Sequence, residues 1–265
     1  MSSDAIRLDV SDGVGRITMA RPEKHNAFDD VLIPDLTDAF ERAGGDENVR
    51  VVVLEAEGKS FSAGADLRWM QCMADYSDAE NLEDARKLAH MVRTLNELPR
   101  PTIARVQGAA FGGGVGLVAA CDIALASQAA SFCLSEARLG LIPSVISPYV
   151  VEAIGARAAR RYFQTAERFD ADEALALGLV HEVVPRERLD SRLTELVVHL
   201  LDTGPAAMAA SKDLIRRVAS GPVDDAMVED TARRIADIRA TEEGREGVRA
   251  FLEKRGPNWR TTTKA

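Results

Sequence analysis

The 265 residues carry 33 Lys and Arg against 42 Asp and Glu, a net charge of −9. Such an acidic balance disfavours general nucleic-acid binding, which works by neutralising phosphates, and no segment is apolar for long enough to cross a membrane. The length suits one large α/β domain, or one domain with a helical extension, with a core that needs neither disulfide nor metal.

Residues 1–9 carry acids and no apolar stretch, unlike a signal peptide. Residues 6–10 and 15–19 alternate around Ser11-Asp12-Gly13, which predicts a hairpin. Residues 30–43 have helical periodicity through Leu32, Leu36 and Phe40, closed by Gly44-Gly45. Residues 49–56 are a β-branched apolar run, the pattern of a strand buried on both faces. A helix is expected over 84–98, closed by Pro99 and Pro101, then a buried strand over 102–106. A helix over 113–120 and a strand over 123–126 follow. This β–α–β alternation predicts an α/β fold with parallel strands.

Beyond residue 200 the pattern turns wholly helical, over 205–220, 223–240 and 242–254. The chain is read as a core over 1–200 and a helical region over 201–265 that packs on the core or on a neighbouring subunit. Cys72, Cys121 and Cys133 form no CxxC pair and read as free thiols of a reducing cytoplasm.

Two segments carry the chemistry. Ser60-Phe61-Ser62-Ala63-Gly64-Ala65-Asp66-Leu67 follows the first buried strand, and Gln107-Gly108-Ala109-Ala110-Phe111-Gly112-Gly113-Gly114-Val115-Gly116-Leu117 follows the second. Small residues let a ligand approach the main chain, and the first N–H groups of a helix are free to donate to an anion. Tight strand–helix packing would also explain either segment alone; two of a kind at two strand ends point to a shared site. The glycines fit neither the dinucleotide fingerprint nor a P-loop. Glu136 lies in a largely apolar stretch, where burial would raise its pKa and suit it to general acid–base work; an ion pair with Arg138 or a helix-start carboxylate is the structural alternative. No GxSxG or HExxH occurs, and His25, His90, His181 and His199 lack metal-ligand spacing. Trp69, Met70 and Met73 read as core.

At these residues the chain resembles the enoyl-CoA hydratase/isomerase, or crotonase, family over nearly its whole length. The resemblance rests on Arg21-Pro22-Glu23-Lys24-His25-Asn26-Ala27 and on the two small-residue segments, the second followed by Cys121-Asp122-Ile123. Thr165-Ala166-Glu167-Arg168-Phe169 and Phe251-Leu252-Glu253-Lys254-Arg255 extend it. It implies a spiral of ββα turns with a carboxy-terminal helical trimerisation region, assembled as a homotrimer or a dimer of trimers. It also implies an acyl-CoA substrate, with coenzyme A entering as part of that substrate and no separate cofactor or metal.

The resemblance makes Ala65 and Gly113 the backbone donors to the thioester oxygen and Glu136 the acid–base group. Coenzyme A would be held by Lys24, Ala27, Ala63, Asp66, Leu67 and Gly112, with Phe251 and Lys254 reaching a neighbouring subunit's ligand. Two departures stand out: Gly116 occupies the place of the family's first catalytic glutamate, and Ser144 that of a glycine that helps position water. The segment from Leu134 to Val151 resembles the bacterial branch of methylglutaconyl-CoA and other branched enoyl-CoA hydratases. Hydration by Glu136, aided by the substrate's own carboxylate with Arg68 or Arg138 as its partner, is one expectation. A Δ3-Δ2-enoyl-CoA isomerase using one glutamate and a non-catalytic acyl-CoA-binding member are the alternatives.

Overall fold

The structure is a computed structural model that describes residues 5–219 and 221–260. Residues 1–4 of the amino-terminal stretch and Ser220, the expected end of a helix, lie outside the described residues. The chain opens with the expected hairpin, β1 (Ile6–Ser11) paired antiparallel with β2 (Val14–Met19). Asp12 and Gly13 both have positive φ, the requirement of a tight turn whose twist matches the strands.

Helix α1 (Leu32–Gly45) buries Leu32, Leu36 and Phe40 together with Ile33, Ala39 and Ala43. The next three strands, β3 (Val51–Ala56), β5 (Thr102–Val106) and β7 (Ile123–Ser127), add in parallel to β2. Each is followed by a short strand in a second sheet: β4 (Ser60–Ser62), β6 (Ala109–Phe111) and β8 (Ser131–Cys133). Helices then complete each turn of the spiral: α2 (Leu67–Met73) and α3 (Asp78–Glu97) after β4, α4 (Gly113–Ala120) after β6, and α5 (Ser147–Thr165) after β8. The second sheet closes with β9 (Arg168–Asp170), antiparallel to β8, and α6 (Ala171–Leu177) leads to β10 (Glu182–Val184) at the edge of the first sheet.

Strand β3 is buried on both faces, as its β-branched run implies. Val52 and Leu54 point into the main core, while Val51 and Val53 meet Ile103, Leu125 and the face of α7 (Leu189–Leu201) formed by Leu189, Leu193 and Val197. Periodicity leaves out α5, α6 and α7. It also starts α3 late: Ser77 and Glu80 form a capping box that begins the helix at Asp78.

The three remaining helices, α8 (Pro205–Ala219), α9 (Asp225–Ala240) and α10 (Glu242–Leu252), pack on one another. Asp224 caps α9, which leaves Val223 outside it. Polar ties join this region to the spiral. Lys212 Nζ donates to Asp122 Oδ2 at 2.8 Å, and that oxygen also accepts from Thr102 N and Thr102 Oγ1. Arg50 donates to the carbonyls of Leu201, Thr203 and Trp259. Among the described residues no helix is long and apolar enough to cross a membrane.

Candidate active site

Each small-residue segment sits where a short strand of the second sheet gives way to a helix. Gly64 has φ of 85°, and a Cβ there would lie 3.1 Å from Phe111 O. Gly112 has φ of 50°, and its absent Cβ would lie 3.9 Å from Gly64 Cα. Both positions need a residue without a side chain, and its absence lets the two segments touch. Ala65 is fixed by a bridge to Phe28, in which Phe28 N donates to Gly64 O and Asp66 N to Phe28 O. The Ala65 and Gly113 N–H groups have no acceptor among the described residues.

These two residues, with Ala63, Gly112 and Glu136, line one cavity of about 640 Å³. Its remaining wall is largely apolar. Trp69, Met70 and Met73 contribute from α2, and Leu141, Ile142 and Pro143 from the loop before α5. The assignment of Trp69, Met70 and Met73 to the core alone therefore needs correction. Trp69 is 7% exposed and belongs to the core cluster, but all three residues also face the cavity.

Glu136 opens a 3-10 turn, Glu136–Leu139, directly after β8. Burial pushes its carboxyl above the usual carboxylate range, and Oε2 is buried without a hydrogen-bond partner among the described residues. Gly112 leaves room for it, since a Cβ there would come within 3.2 Å of Glu136 Oε1. The ion-pair alternative fails because Arg138 donates to Ala166 O at 2.7 Å instead. Among the described residues that line the cavity, neither Arg68 nor Arg138 is found. Asp84, on α3, is the cavity's other carboxylate, and burial raises its pKa as well.

Of the other expected ligand residues, Ala27 is buried beside the site and Leu67 is exposed at the start of α2. The Asp66 carboxylate caps α2 by accepting from Arg68 N and Trp69 N. Lys24 Nζ lies 3.7 Å from Asp29 Oδ2 and 4.0 Å from Asp66 Oδ2, beside the loop that carries Ala63 to Ala65. That loop is held by Asn26, whose amide donates to Glu57 O and Ser60 O, and by Ser62 Oγ donating to Asn26 O. Arg21 clamps Asp29 through two hydrogen bonds of 2.7 and 2.6 Å. Burial opposes the Asp29 charge, but the bonds and charge of Arg21, together with the N–H groups of Leu32 and Val31, outweigh it and hold the carboxyl at about 2. Phe251 and Lys254 do not line their own chain's cavity, and Phe251 is 82% exposed at the end of α10.

Residues 9–262 match the family model described as enoyl-CoA hydratase/isomerase. The chain belongs to this family. Its fold is the crotonase fold. An enoyl-CoA hydratase of Shewanella pealeana is 46% identical and superposes with a TM-score of 0.94 over 96% of each chain. A Legionella pneumophila protein described as an enoyl-CoA hydratase/isomerase (crotonase) is 50% identical, with a TM-score of 0.92 over 96% of this chain and 98% of that one. A Thermus thermophilus protein, named for enoyl-CoA hydratase, is 31% identical over 90% of this chain and 94% of its own length. The family relation makes an acyl-CoA thioester the substrate class for which the cavity is to be read.

Two cavity features escaped the sequence. Ile146, from the residue before α5, faces Gly116, and Phe28 lies under Gly113, where a Cβ would meet Phe28 Cε2 at 2.3 Å. Both partners are far from the glycines in sequence, so no local pattern announces them.

Proposed function

We propose that this family member hydrates the C2=C3 double bond of an enoyl-CoA reversibly, with Glu136 as the acid–base group. The observation that carries this reading is the convergence of three groups on one apolar cavity: the Glu136 carboxyl and the acceptor-free N–H groups of Ala65 and Gly113. With the thioester oxygen on those two N–H groups, C3 becomes electron-poor. Glu136 takes a proton from water as the hydroxyl adds to C3. The electron pair of the double bond moves onto the thioester oxygen, where preorganised donors stabilise it without reorganisation. Glu136 then returns the proton to C2, so the net change is the addition of one water.

Coenzyme A is held in this reading by the Lys24–Ala27 loop and by Ala63, Asp66 and Leu67. Phe251 and Lys254 serve the site of an adjacent subunit in a homotrimer or dimer of trimers. The apolar cavity suits a branched acyl group.

A second reading has specific support. With glycine at 116, the site needs no water-holding pair for a Δ3-Δ2 isomerisation, in which Glu136 takes a proton from C2 and returns it at C4. Turnover of matched 2-enoyl-CoA and 3-enoyl-CoA substrates, with products weighed by mass spectrometry, separates the two. Gain of 18 Da, the mass of one water, on a 2-enoyl substrate supports hydration. Double-bond migration without any gain of mass overturns it in favour of isomerisation.

A further inference from the structure

Helix α4 begins at the cavity with Gly113, and Gly116 lies one turn on, its N–H donating back to Gly112 O at 3.3 Å. A Cβ on Gly116 would lie 2.1 Å from Ile146 Cγ2 and 2.7 Å from Ile146 Cβ, with the third-nearest atom at 3.8 Å. The obstruction is thus a single side chain. Ile146 is 2% exposed and lines the same cavity as Glu136, Ala65 and Gly113. It is the N-cap residue of α5, so its backbone is held by a helix start. A side chain at position 116 and the side chain of Ile146 compete for one volume, and no rotamer change of Ile146 moves its Cβ out of the way.

We propose that Ile146 is a specificity-determining residue: it fills the volume in front of Gly116, makes the wall between α4 and α5 apolar, and leaves proton transfer to Glu136. The steric part stands on the geometry alone. The catalytic part rests on the reading of the site as an enoyl-CoA enzyme. A carboxylate can enter this wall only if Ile146 is cut back, and it then stands in the cavity that holds Glu136. Water would gain a second anchor there, which can speed hydration beyond what Glu136 supports alone and is of no use to double-bond migration.

The test compares wild type with Gly116→Glu, Ile146→Gly, Gly116→Glu/Ile146→Gly and Gly116→Gln/Ile146→Gly, all as full chains. Glycine is a tolerated N-cap residue, and its introduction removes both obstructing atoms. Gly116→Glu alone should melt roughly 2–10 °C below wild type. The Glu/Gly double variant should melt no lower than Ile146→Gly. It should also hydrate crotonyl-CoA at least about tenfold faster than the Gln/Gly control, with a further ionisation in its pH–rate profile.

Gly116→Glu with wild-type melting would overturn the steric claim. Equal rates and pH profiles for the Glu and Gln double variants would overturn the catalytic one. Should the double variants not fold, Gly116→Ala in the wild-type and Ile146→Gly backgrounds decides the steric claim. Loss of stability in the first only supports it, and equal loss in both overturns it. Failure of the functional reading looks different: steric rescue persists while wild type turns over neither 2-enoyl-CoA nor 3-enoyl-CoA.

Discussion

Gly112 and Glu136 share one narrow space: the position a Cβ would take on Gly112 lies 3.2 Å from Glu136 Oε1. The same glycine has φ of 50° and ψ of −121°, a conformation that side chains disfavour. Gly112→Ala is therefore expected to cost about 1–3 kcal/mol of stability. It should also displace the carboxylate, lowering kcat/KM by about 10²-fold. Urea denaturation beside steady-state kinetics measures both; a variant with wild-type kcat/KM would show that the Gly112–Glu136 approach is not needed for turnover.

Glu136→Gln keeps the shape of the side chain and removes its ability to carry a proton. Loss of kcat by about 10²–10⁴-fold is expected, with acyl-CoA affinity nearly unchanged by calorimetric titration. Unaltered turnover would remove Glu136 from the mechanism.

The pH dependence follows from the burial that raises the Glu136 pKa. Between the ordinary carboxylate value and the raised one, the folded protein binds this proton and the unfolded chain does not. This group's contribution to stability therefore falls as pH rises through that window, and above it the full penalty for burying the charge remains. Glu136→Gln should melt at a higher temperature than wild type at neutral pH, and the gap should close on acidification. The acid limb of the wild-type rate profile should likewise lie above the pH at which an ordinary carboxylate titrates. A melting difference that stays constant with pH would contradict the assigned cause.

Lys212→Ala removes the amine that joins α8 to Asp122 in the spiral. Asp122 keeps its bonds to Thr102, so the expected loss is about 1–3 kcal/mol, read by urea denaturation. No loss would mean that packing alone holds α8 in place.

Much of this molecule is written locally. The β-branched run at 51–56 can be satisfied only by cover on both faces, and Val51 and Val52 find it on opposite sides. Small residues after β4 and β6 announce close backbone approach, and Gly64 and Gly112 abut. Glu136 stands in a largely apolar stretch, which makes it a candidate for desolvation, and the fold buries its Oε2 without a partner among the described residues.

What the sequence by itself determined was the alternation of strands and helices, the two glycine-dependent segments and an acid set in a largely apolar stretch at Glu136, because each depends on residues close along the chain. Tertiary structure decided which distant side chains share the cavity wall. It seated Phe28 under Gly113 and Ile146 against Gly116, and it turned Trp69, Met70 and Met73 from core alone into cavity lining. Arg138 found the carbonyl of Ala166 rather than the carboxylate two residues away. These outcomes depend on how close-packed elements from separate turns of the spiral meet, and close packing is a property of the whole fold that no window of sequence contains.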